Sequence, residues 1–248
     1  MTARRAIALV FAAALISACS VRDVACGRPL SERAANQAAA QQQAEAQAPA
    51  SGDATEAQKL KIVFFGDSLT AGLNLLSQQA YPALVEDMFG AEGYDKVESV
   101  NGGISGDTTA GGRRRIEQAL EPGVRILVLA LGANDAMRGL SPAQTRDNLK
   151  AIIDTARGKG VRVVLCGMEA PPNLGEDYRE AFRAVFVQLA AEYRADMKYV
   201  PFLLAGVAGN PALNQPDGIH PNEQGARVVA ELVYPVLRSL VDELGGGG

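Results

Sequence analysis

The sequence contains one histidine, His220, and no tryptophan. Imidazole is the side chain that most readily serves as a general base near neutral pH. Any reaction of this protein that needs a histidine base must therefore use His220. Because tryptophan is absent, the walls of any apolar pocket must consist of aliphatic, tyrosine or phenylalanine side chains.

Cysteine is also scarce, with three residues in the chain. Their positions do not have the spacing of metal ligands, so the sequence predicts no metal site. Cys166 lies in an apolar run, residues 161–167, which favours a buried free thiol over a disulfide. Cys26 lies outside the runs that resemble strands and helices, and the sequence leaves its role open.

Positive charge is not concentrated, and the chain has a net charge of −4. A nucleic-acid-binding surface needs a clustered basic face, so no nucleic-acid partner is predicted. The basic cluster that does occur, residues 113–115, is interpreted as the solvated face of a helix.

Phosphate-binding loops are missing after the first strand-like run. Neither G-x-x-x-x-G-K-[ST] nor G-x-G-x-x-G follows Phe65. This absence disfavours a flavodoxin-like binding module for a phosphate or a flavin, which stays as an alternative from another class. No organic cofactor is predicted.

The amino terminus has the pattern of a secretory signal peptide. Two arginines at residues 4–5 precede an apolar stretch, residues 6–16, which is too short to span a bilayer comfortably. The end of that stretch, residues 15–19, resembles the lipobox of bacterial lipoproteins. The resemblance implies that residues 1–18 are removed and that Cys19 carries the lipid; an ordinary cleaved signal with a chance cysteine is the alternative. The expected product is exported, faces the periplasm of a Gram-negative-type envelope and is anchored to a membrane.

Large apolar residues are rare in residues 19–58, which consist mostly of Ala, Gln, Glu, Ser, Gly and Pro. Such a segment buries too little surface to offset its ordering entropy, so a disordered tether is predicted. The folded domain is expected over residues 59–244, and residues 245–248 are expected to form a flexible glycine tail.

Apolar strand-like runs alternate with amphipathic stretches across the domain. Strands are predicted at residues 60–65, 96–100, 125–131, 161–167 and 198–200. Helices are predicted at residues 81–89, 109–120, 141–158, 176–195 and 222–241. This alternation predicts an α/β domain with three layers (α/β/α, flavodoxin-like) and a mostly parallel sheet of five strands.

Glycines and polar residues follow most of the predicted strands. In a doubly wound sheet, the loops at the carboxyl ends of the strands converge on one edge, where ligands bind. Ser68 follows the first strand, and His220 lies in the loop before the last helix. Asp217, three residues before His220, is close enough in sequence to hold the imidazole in one tautomer. Taken alone, each of these residues could equally belong to a turn.

Four blocks taken together resemble the SGNH hydrolases, also called the GDSL esterase/lipase family. They are Gly66-Asp67-Ser68-Leu69, Ile104-Ser105-Gly106-Asp107-Thr108, Leu131-Gly132-Ala133-Asn134-Asp135 and Asp217-Gly218-Ile219-His220-Pro221. The resemblance covers the whole domain and is strongest to the branch of bacterial arylesterases, thioesterases and lysophospholipases.

The resemblance assigns a role to each matching residue. Ser68 is implied as the nucleophile, His220 as the general base and then acid, and Asp217 as the residue that orients His220. The implied oxyanion hole consists of the backbone N–H groups of Ser68 and Gly106 and the side-chain amide of Asn134. Turn formation by Gly106 and helix capping by Asn134 are the structural alternatives.

Two further expectations follow from the same blocks. Asp67 matches a structural position of the family and is left out of the catalytic set. Ala133 stands where many relatives have glycine, and its methyl group is expected to trim the pocket beside Asn134. Candidate walls of an acyl pocket are Leu73, Leu75, Leu76, Met137, Pro171, Pro172 and Leu213.

The implied activity is hydrolysis of carboxylic esters without a metal or cofactor. The expected substrate is a small ester or a lipid-like molecule, and no obligate protein partner is evident. A thioesterase or lysophospholipase, and a deacetylase of an envelope polysaccharide, stay as alternatives within the hydrolases.

Overall fold

Five parallel strands form the centre of the domain in a computed structural model that describes residues 59–246. The strands are β1 (Leu60–Gly66), β2 (Val97–Asn101), β3 (Val124–Ala130), β4 (Arg162–Cys166) and β5 (Met197–Val200). They lie side by side in the order β2-β1-β3-β4-β5, and every neighbouring pair is parallel. The predicted five-stranded α/β/α fold is confirmed, and the sheet is parallel throughout.

Seven α-helices and two short 3₁₀ turns surround the sheet in the described part of the chain. The helices are α1 (Ser68–Ala71), α2 (Tyr81–Ala91), α3 (Thr109–Ala119), α4 (Ala133–Met137), α5 (Pro142–Gly158), α6 (Glu176–Glu192) and α7 (Glu223–Glu243). Helices α2 and α7 pack together on one face, and α3, α5 and α6 pack on the other. None of the helices within residues 59–246 is long and apolar enough to cross a membrane.

The interior of the sheet explains why the strands form where they do. From Ile62 onward β1 is buried, and β3 is buried from Ile126 to its end. Continuous apolar runs of this kind are typical of parallel strands that are covered on both faces. Cys166, at the end of β4, is fully buried as predicted, and burial raises the pKa of its thiol to about 12.

The order of the strands fixes where a ligand can bind. The chain turns to opposite sides of the sheet after β1 and after β3, so the loops leaving these neighbouring strands separate and open a crevice. Ser68 begins α1 directly after β1, and Asn134 lies in α4 directly after β3. The topology therefore places both residues at the one crevice of the sheet.

Two short helices and one arginine differ from the sequence-based expectations. Helices α1 and α4 were not among the predicted helices, because four or five residues are too few to show helical periodicity. The interpretation of residues 113–115 as a solvated face is wrong for Arg115. Arg113 and Arg114 are exposed, but the Arg115 guanidinium lies 3.8 Å from the centroid of the Phe65 ring. The helical rotation turns position 115 inward, toward the buried side that also carries Ile116.

Candidate active site

Ser68 is held by a tight turn between β1 and α1. A Cβ atom on Gly66 would lie 2.0 Å from Thr70 Oγ1 and 2.7 Å from the Ala130 carbonyl oxygen, so only glycine fits there. Asp67 caps α1, because its carboxylate accepts the backbone N–H of Leu69 at 3.0 Å. The apolar strand, the glycine and the cap together present Ser68 at the carboxyl edge of the sheet.

The structure brings Ser68, His220 and Asp217 into one hydrogen-bonded row. Ser68 Oγ lies 2.8 Å from His220 Nε2, across 152 residues of sequence. On the other side of the ring, His220 Nδ1 lies 2.7 Å from Asp217 Oδ2. A proton on Nδ1 is donated to Asp217, and Nε2 is then free to accept the Ser68 hydroxyl proton.

Asp217 is kept ionised by its own turn. Its Oδ1 accepts the backbone N–H groups of His220 at 3.0 Å and of Ile219 at 2.9 Å. These backbone bonds, with the His220 side chain, lower the pKa of Asp217 to about 2. A permanent negative charge therefore lies beside Nδ1, where it stabilises an imidazolium.

Gln215 connects the loop of His220 to the loop that follows Ser68. Its amide nitrogen donates to the carbonyl oxygen of Leu73 at 2.8 Å, and its amide oxygen accepts from Asn74 at 3.1 Å. Its backbone N–H also donates to the His220 carbonyl at 2.8 Å. One side chain thus holds the loop of His220 against the loop that follows Ser68, a contact that the sequence did not predict.

Gly106 and Asn134 lie in the same cleft as Ser68 and His220. Gly106 has a φ of 79°, a backbone conformation that favours glycine, and its carbonyl oxygen accepts from Arg138 Nη2 at 2.9 Å. The Asn134 side chain does not cap a helix, because Gly132 occupies the N-cap position of α4. Instead, Asn134 Nδ2 donates to Asp67 Oδ2 at 3.2 Å. The alternative interpretation of Asn134 as a helix cap is therefore wrong.

Asp67 is fully buried beneath these groups. Its two oxygens accept from the Leu69 backbone and from the Asn134 amide, so the carboxylate joins the turn of Ser68 to the amide of Asn134. Burial raises the pKa of Asp67 to about 6, against the opposite effect of those hydrogen bonds. Asp67 therefore supports Asn134 as well as its own turn.

A buried ion pair fixes the loop that carries Gly106. Arg115 Nε donates to Asp107 Oδ2 at 2.7 Å, and the two other guanidinium nitrogens donate to the carbonyl oxygens of Gly102 at 2.8 Å and Gly66 at 3.0 Å. The pair is largely buried, with 18% and 11% of the two side chains exposed. Arg115 therefore links the ends of β1 and β2 to the Gly106 loop.

Asp135 performs the same task between the Gly106 loop and α4. Its carboxylate accepts the backbone N–H of Thr109 at 2.8 Å and the Thr109 hydroxyl at 2.5 Å. Asp135 is 2% exposed and Thr109 is completely buried. The sequence blocks contained both Asp107 and Asp135, but only the packing shows which partners they hold.

The cleft beside Ser68 has a volume of about 630 Å³ and mostly apolar walls. Four of the seven predicted wall residues line it: Leu73, Met137, Pro171 and Pro172. Leu75, Leu76 and Leu213 do not line it. The direction of a side chain in a loop has no sequence period, so the sequence could not separate these three residues from the other four. Walls that were not predicted are Met168, Ala170, Phe202, Leu204, Ala208 and Ile219. Ala133 also lines the cleft, next to Asn134.

Within residues 59–246, no group of three or more His, Cys, Asp or Glu side chains could hold a metal ion.

A parallel α/β sheet that presents a serine to a histidine–aspartate pair at its carboxyl edge has the arrangement typical of serine hydrolases. Residues 64–228 match the GDSL-like lipase/acylhydrolase family. The chain belongs to this family.

Similar proteins with established names support the assignment. Esterase TesA of Pseudomonas aeruginosa is 41% identical over 75% of this chain and 90% of its own. Thioesterase 1/protease 1/lysophospholipase L1 of Escherichia coli is 34% identical over 73% of this chain and 85% of its own. The crystal structure of TesA superposes with a TM-score of 0.69 at 40% identity, covering 73% of this chain and 99% of that one.

Proposed function

We propose that this protein hydrolyses carboxylic esters through an acyl-enzyme formed on Ser68. The observation that carries the proposal is the row of contacts from Ser68 Oγ to His220 Nε2, 2.8 Å, and from His220 Nδ1 to Asp217, 2.7 Å. A serine is a weak nucleophile by itself and needs a base within hydrogen-bond reach. His220 is the sole histidine of the chain and lies within that reach.

The contacts from Ser68 to His220 and Asp217 allow an ester to acylate Ser68. Ser68 Oγ attacks the carbonyl carbon of the ester while His220 Nε2 takes the hydroxyl proton, and Asp217 stabilises the imidazolium. The oxygen of the tetrahedral intermediate accepts hydrogen bonds from the backbone N–H groups of Ser68 and Gly106 and from the Asn134 amide. When the intermediate collapses, the C–O bond to the alcohol breaks and His220 returns the proton to the leaving oxygen.

Deacylation uses the same groups with water as the nucleophile. His220 takes a proton from the water, which attacks the acyl carbon, and the proton then passes to Ser68 Oγ as the acyl bond breaks. The products are a carboxylic acid and the free enzyme. Asp217 stays ionised in both half-reactions near neutral pH, because its hydrogen bonds lower its pKa to about 2.

The walls of the cleft indicate the substrate class. A cleft of about 630 Å³ lined by Leu73, Met137, Met168 and Phe202 can hold an acyl chain well beyond an acetyl group. This favours a small ester or a lipid-like substrate over deacetylation of a polysaccharide. A thioesterase or lysophospholipase activity is the second candidate, because the similar Escherichia coli enzyme carries both names and the same cleft would take their acyl groups.

The mechanism is tested with a fluorophosphonate probe and a panel of p-nitrophenyl esters of rising chain length. The wild type is expected to be labelled and to release p-nitrophenol, and Ser68→Ala is expected to lose both while it melts at the wild-type temperature. A matched panel of acyl thioesters separates ester from thioester preference. Hydrolysis that persists in folded Ser68→Ala would overturn the mechanism.

Export and anchoring form a separate part of the proposal. The relevant residues, 1–58, lie outside the part of the chain that the structure describes. The apolar stretch of residues 6–16 and the lipobox-like residues 15–19 support removal of residues 1–18, lipidation of Cys19 and a tether over residues 19–58. The mature protein would then face the periplasm from a membrane.

Labelling cells with a radioactive fatty acid tests the anchor. The wild type and Cys26→Ser are expected to take up label, whereas Cys19→Ser is expected to take up none. Cys26→Ser is the matched control, because it removes a neighbouring cysteine and leaves the lipobox intact. A mature wild-type protein without label would contradict lipidation.

A further inference from the structure

Large apolar side chains are exposed at six positions of the described residues, and four of the six lie on segments that leave the carboxyl edge of the sheet, where the cleft opens. The four are Leu76, Ile104, Met137 and Ile219, which are 60%, 51%, 53% and 44% exposed. We call these four residues the apolar rim. Single exposed apolar residues are normal on a protein surface, but a group around one opening marks an interaction site.

The apolar rim comes from four separate loops or helix ends that meet at the carboxyl edge of the sheet. Met137, at the end of α4, and Ile219, beside His220, are themselves part of the cleft wall. Ile104 directly precedes Ser105 and Gly106, which line the cleft, and Leu76 lies three residues after Leu73, which also lines it. Two members of the rim therefore border the opening directly, and the other two lie within three residues of side chains that border it.

The charges near the opening do not favour one sign. Glu169 and Arg179 line the cleft, while Arg138 and Asp217 lie beside Gly106 and His220. Two acidic and two basic groups give no net attraction for an anionic or a cationic surface. A partner that fits such a rim has an apolar interior beneath a surface with little net charge. A bilayer of zwitterionic phospholipid has both properties.

We propose that the apolar rim docks onto the surface of a phospholipid bilayer and brings the mouth of the cleft to acyl esters held there. The proposal rests on the proposed esterase function and on its lipid anchor. It adds to them the face of the domain that meets the membrane.

The position at which the chain enters the domain supports this occupant. The chain enters at Leu60, the amino end of β1, whereas Ser68 lies beyond the carboxyl end of the same strand. A strand of seven residues is roughly 23 Å long, so a short link would hold the cleft away from the membrane. The predicted tether, residues 19–58, has about 40 residues; a coil of that length would span roughly 35 Å and would let the opposite edge of the domain turn to the bilayer.

The anchor also explains how a small rim is sufficient. Four partly exposed side chains give only weak partitioning into a bilayer by themselves. A lipid on Cys19 would keep the domain at a high effective concentration beside the membrane, so that weak docking still orients the cleft. The apolar rim is expected to determine how the domain is oriented at the membrane, and the lipid anchor is expected to determine how long it stays there.

Flotation with phosphatidylcholine vesicles tests the rim without the anchor. The domain alone, residues 59–248, is suitable because the match covers 99% of the solved TesA chain, which therefore consists of this domain and folds by itself. The double variant Leu76→Ser/Ile104→Ser is expected to lower the vesicle partition coefficient about tenfold. Val187→Ser is the matched control, since Val187 is 52% exposed on α6 and lies outside the rim.

The same samples are assayed with p-nitrophenyl acetate in solution, which keeps docking and catalysis apart. All three proteins are expected to hydrolyse this ester equally, because neither Leu76 nor Ile104 lines the cleft. Equal flotation of the double variant and the wild type, or flotation that requires anionic lipid, would overturn the docking proposal. Absence of hydrolysis in the wild type would overturn the esterase function instead. If the double variant does not fold, each single variant is expected to lose about threefold in partitioning.

Discussion

The two sides of the candidate site are built in different ways. On the side of Ser68, the groups that hold the loops are buried: Asp67 is 0% and Asp135 is 2% exposed. On the side of His220, the Asp217 side chain is 40% exposed, and its loop is held by its own turn and by Gln215. Ser68 and the proposed oxyanion donors are thus fixed by the core, whereas His220 is carried by a loop at the surface.

This difference predicts how stability and activity are coupled. An unpaired buried charge or polar group is costly, so changes on the Ser68 side are expected to lower both stability and activity. Changes in an exposed loop usually alter the free energy of unfolding by about 0.5 kcal/mol or less. Changes on the His220 side are therefore expected to lower activity alone, and the variants below test this contrast.

Replacing the base is expected to have the largest effect. His220→Ala removes the group that takes the Ser68 proton, so kcat is expected to fall by roughly 10⁴-fold or more. The melting temperature is expected to stay close to that of the wild type. Steady-state kinetics and thermal unfolding of the same preparation check both statements. A large loss of stability in His220→Ala would contradict the description of this side as a surface element.

Replacing the side-chain donor is expected to have the next largest effect. Asn134→Ala removes one of the three proposed oxyanion donors, which is expected to lower kcat by about 10² to 10³-fold with little change in KM. It also removes one of the two hydrogen bonds to the buried Asp67 carboxylate. A measurable drop in melting temperature is therefore expected along with the loss of kcat. Loss of kcat with full stability would show that Asp67 does not depend on Asn134.

Breaking the buried ion pair tests the Ser68 side without touching a reacting group. Arg115→Ala removes the charged partner of Asp107 and the guanidinium hydrogen bonds to the carbonyl oxygens of Gly66 and Gly102. The free energy of unfolding is expected to fall by about 3 kcal/mol, and kcat to fall as the Gly106 loop loosens. Urea unfolding measures the first effect. Arg114→Ala, an exposed neighbour on the same helix, is the matched control and is expected to be neutral.

The same contrast explains what the sequence could predict. The strands β1 and β3 are continuous apolar runs, so their existence followed from composition and periodicity. The pairing of Ser68 with His220 followed from there being one histidine and from four family blocks in order. Both signals come from the order of residues along the chain and do not depend on knowing where the side chains point.

The residues that hold the loops of the site in place have no such signal in the sequence. Arg115 is inward while Arg114 is outward, and a rotation of one helical residue decides between them. The Asp67–Asn134 contact joins two loops that follow neighbouring strands, and it depends on the position of both. Leu76 was predicted as a cleft wall and instead points to solvent. Such features are consequences of packing, and a single sequence does not encode them locally.

The last prediction compares the carboxylates of the two sides by their pH dependence. Burial raises the pKa of Asp67 to about 6, compared with about 3.9 in an unfolded chain. The folded protein therefore binds this proton more tightly than the unfolded chain. The stabilising contribution of protonated Asp67 is fully present below pH 4 and is lost as the pH rises through 6. For Asp217 the pKa is lowered to about 2, so its contribution is present above pH 4 and is lost as the pH falls toward 2.

Asp67→Asn and Asp217→Asn are expected to reveal these opposite directions in urea unfolding between pH 3 and 8. Relative to the wild type, the free energy of unfolding of Asp67→Asn is expected to increase by up to roughly 3 kcal/mol as the pH rises from 4 to 7. A constant offset is added, because asparagine offers one acceptor oxygen for the two donors of Leu69 and Asn134. Asp217→Asn is expected to run nearly parallel to the wild type above pH 4, since the Asp217 carboxyl is ionised there in both the folded and the unfolded chain. If the difference in unfolding free energy between Asp67→Asn and the wild type did not change with pH, the wild-type Asp67 carboxylate would be hydrated. That result would contradict the description of the Ser68 side as held by buried groups.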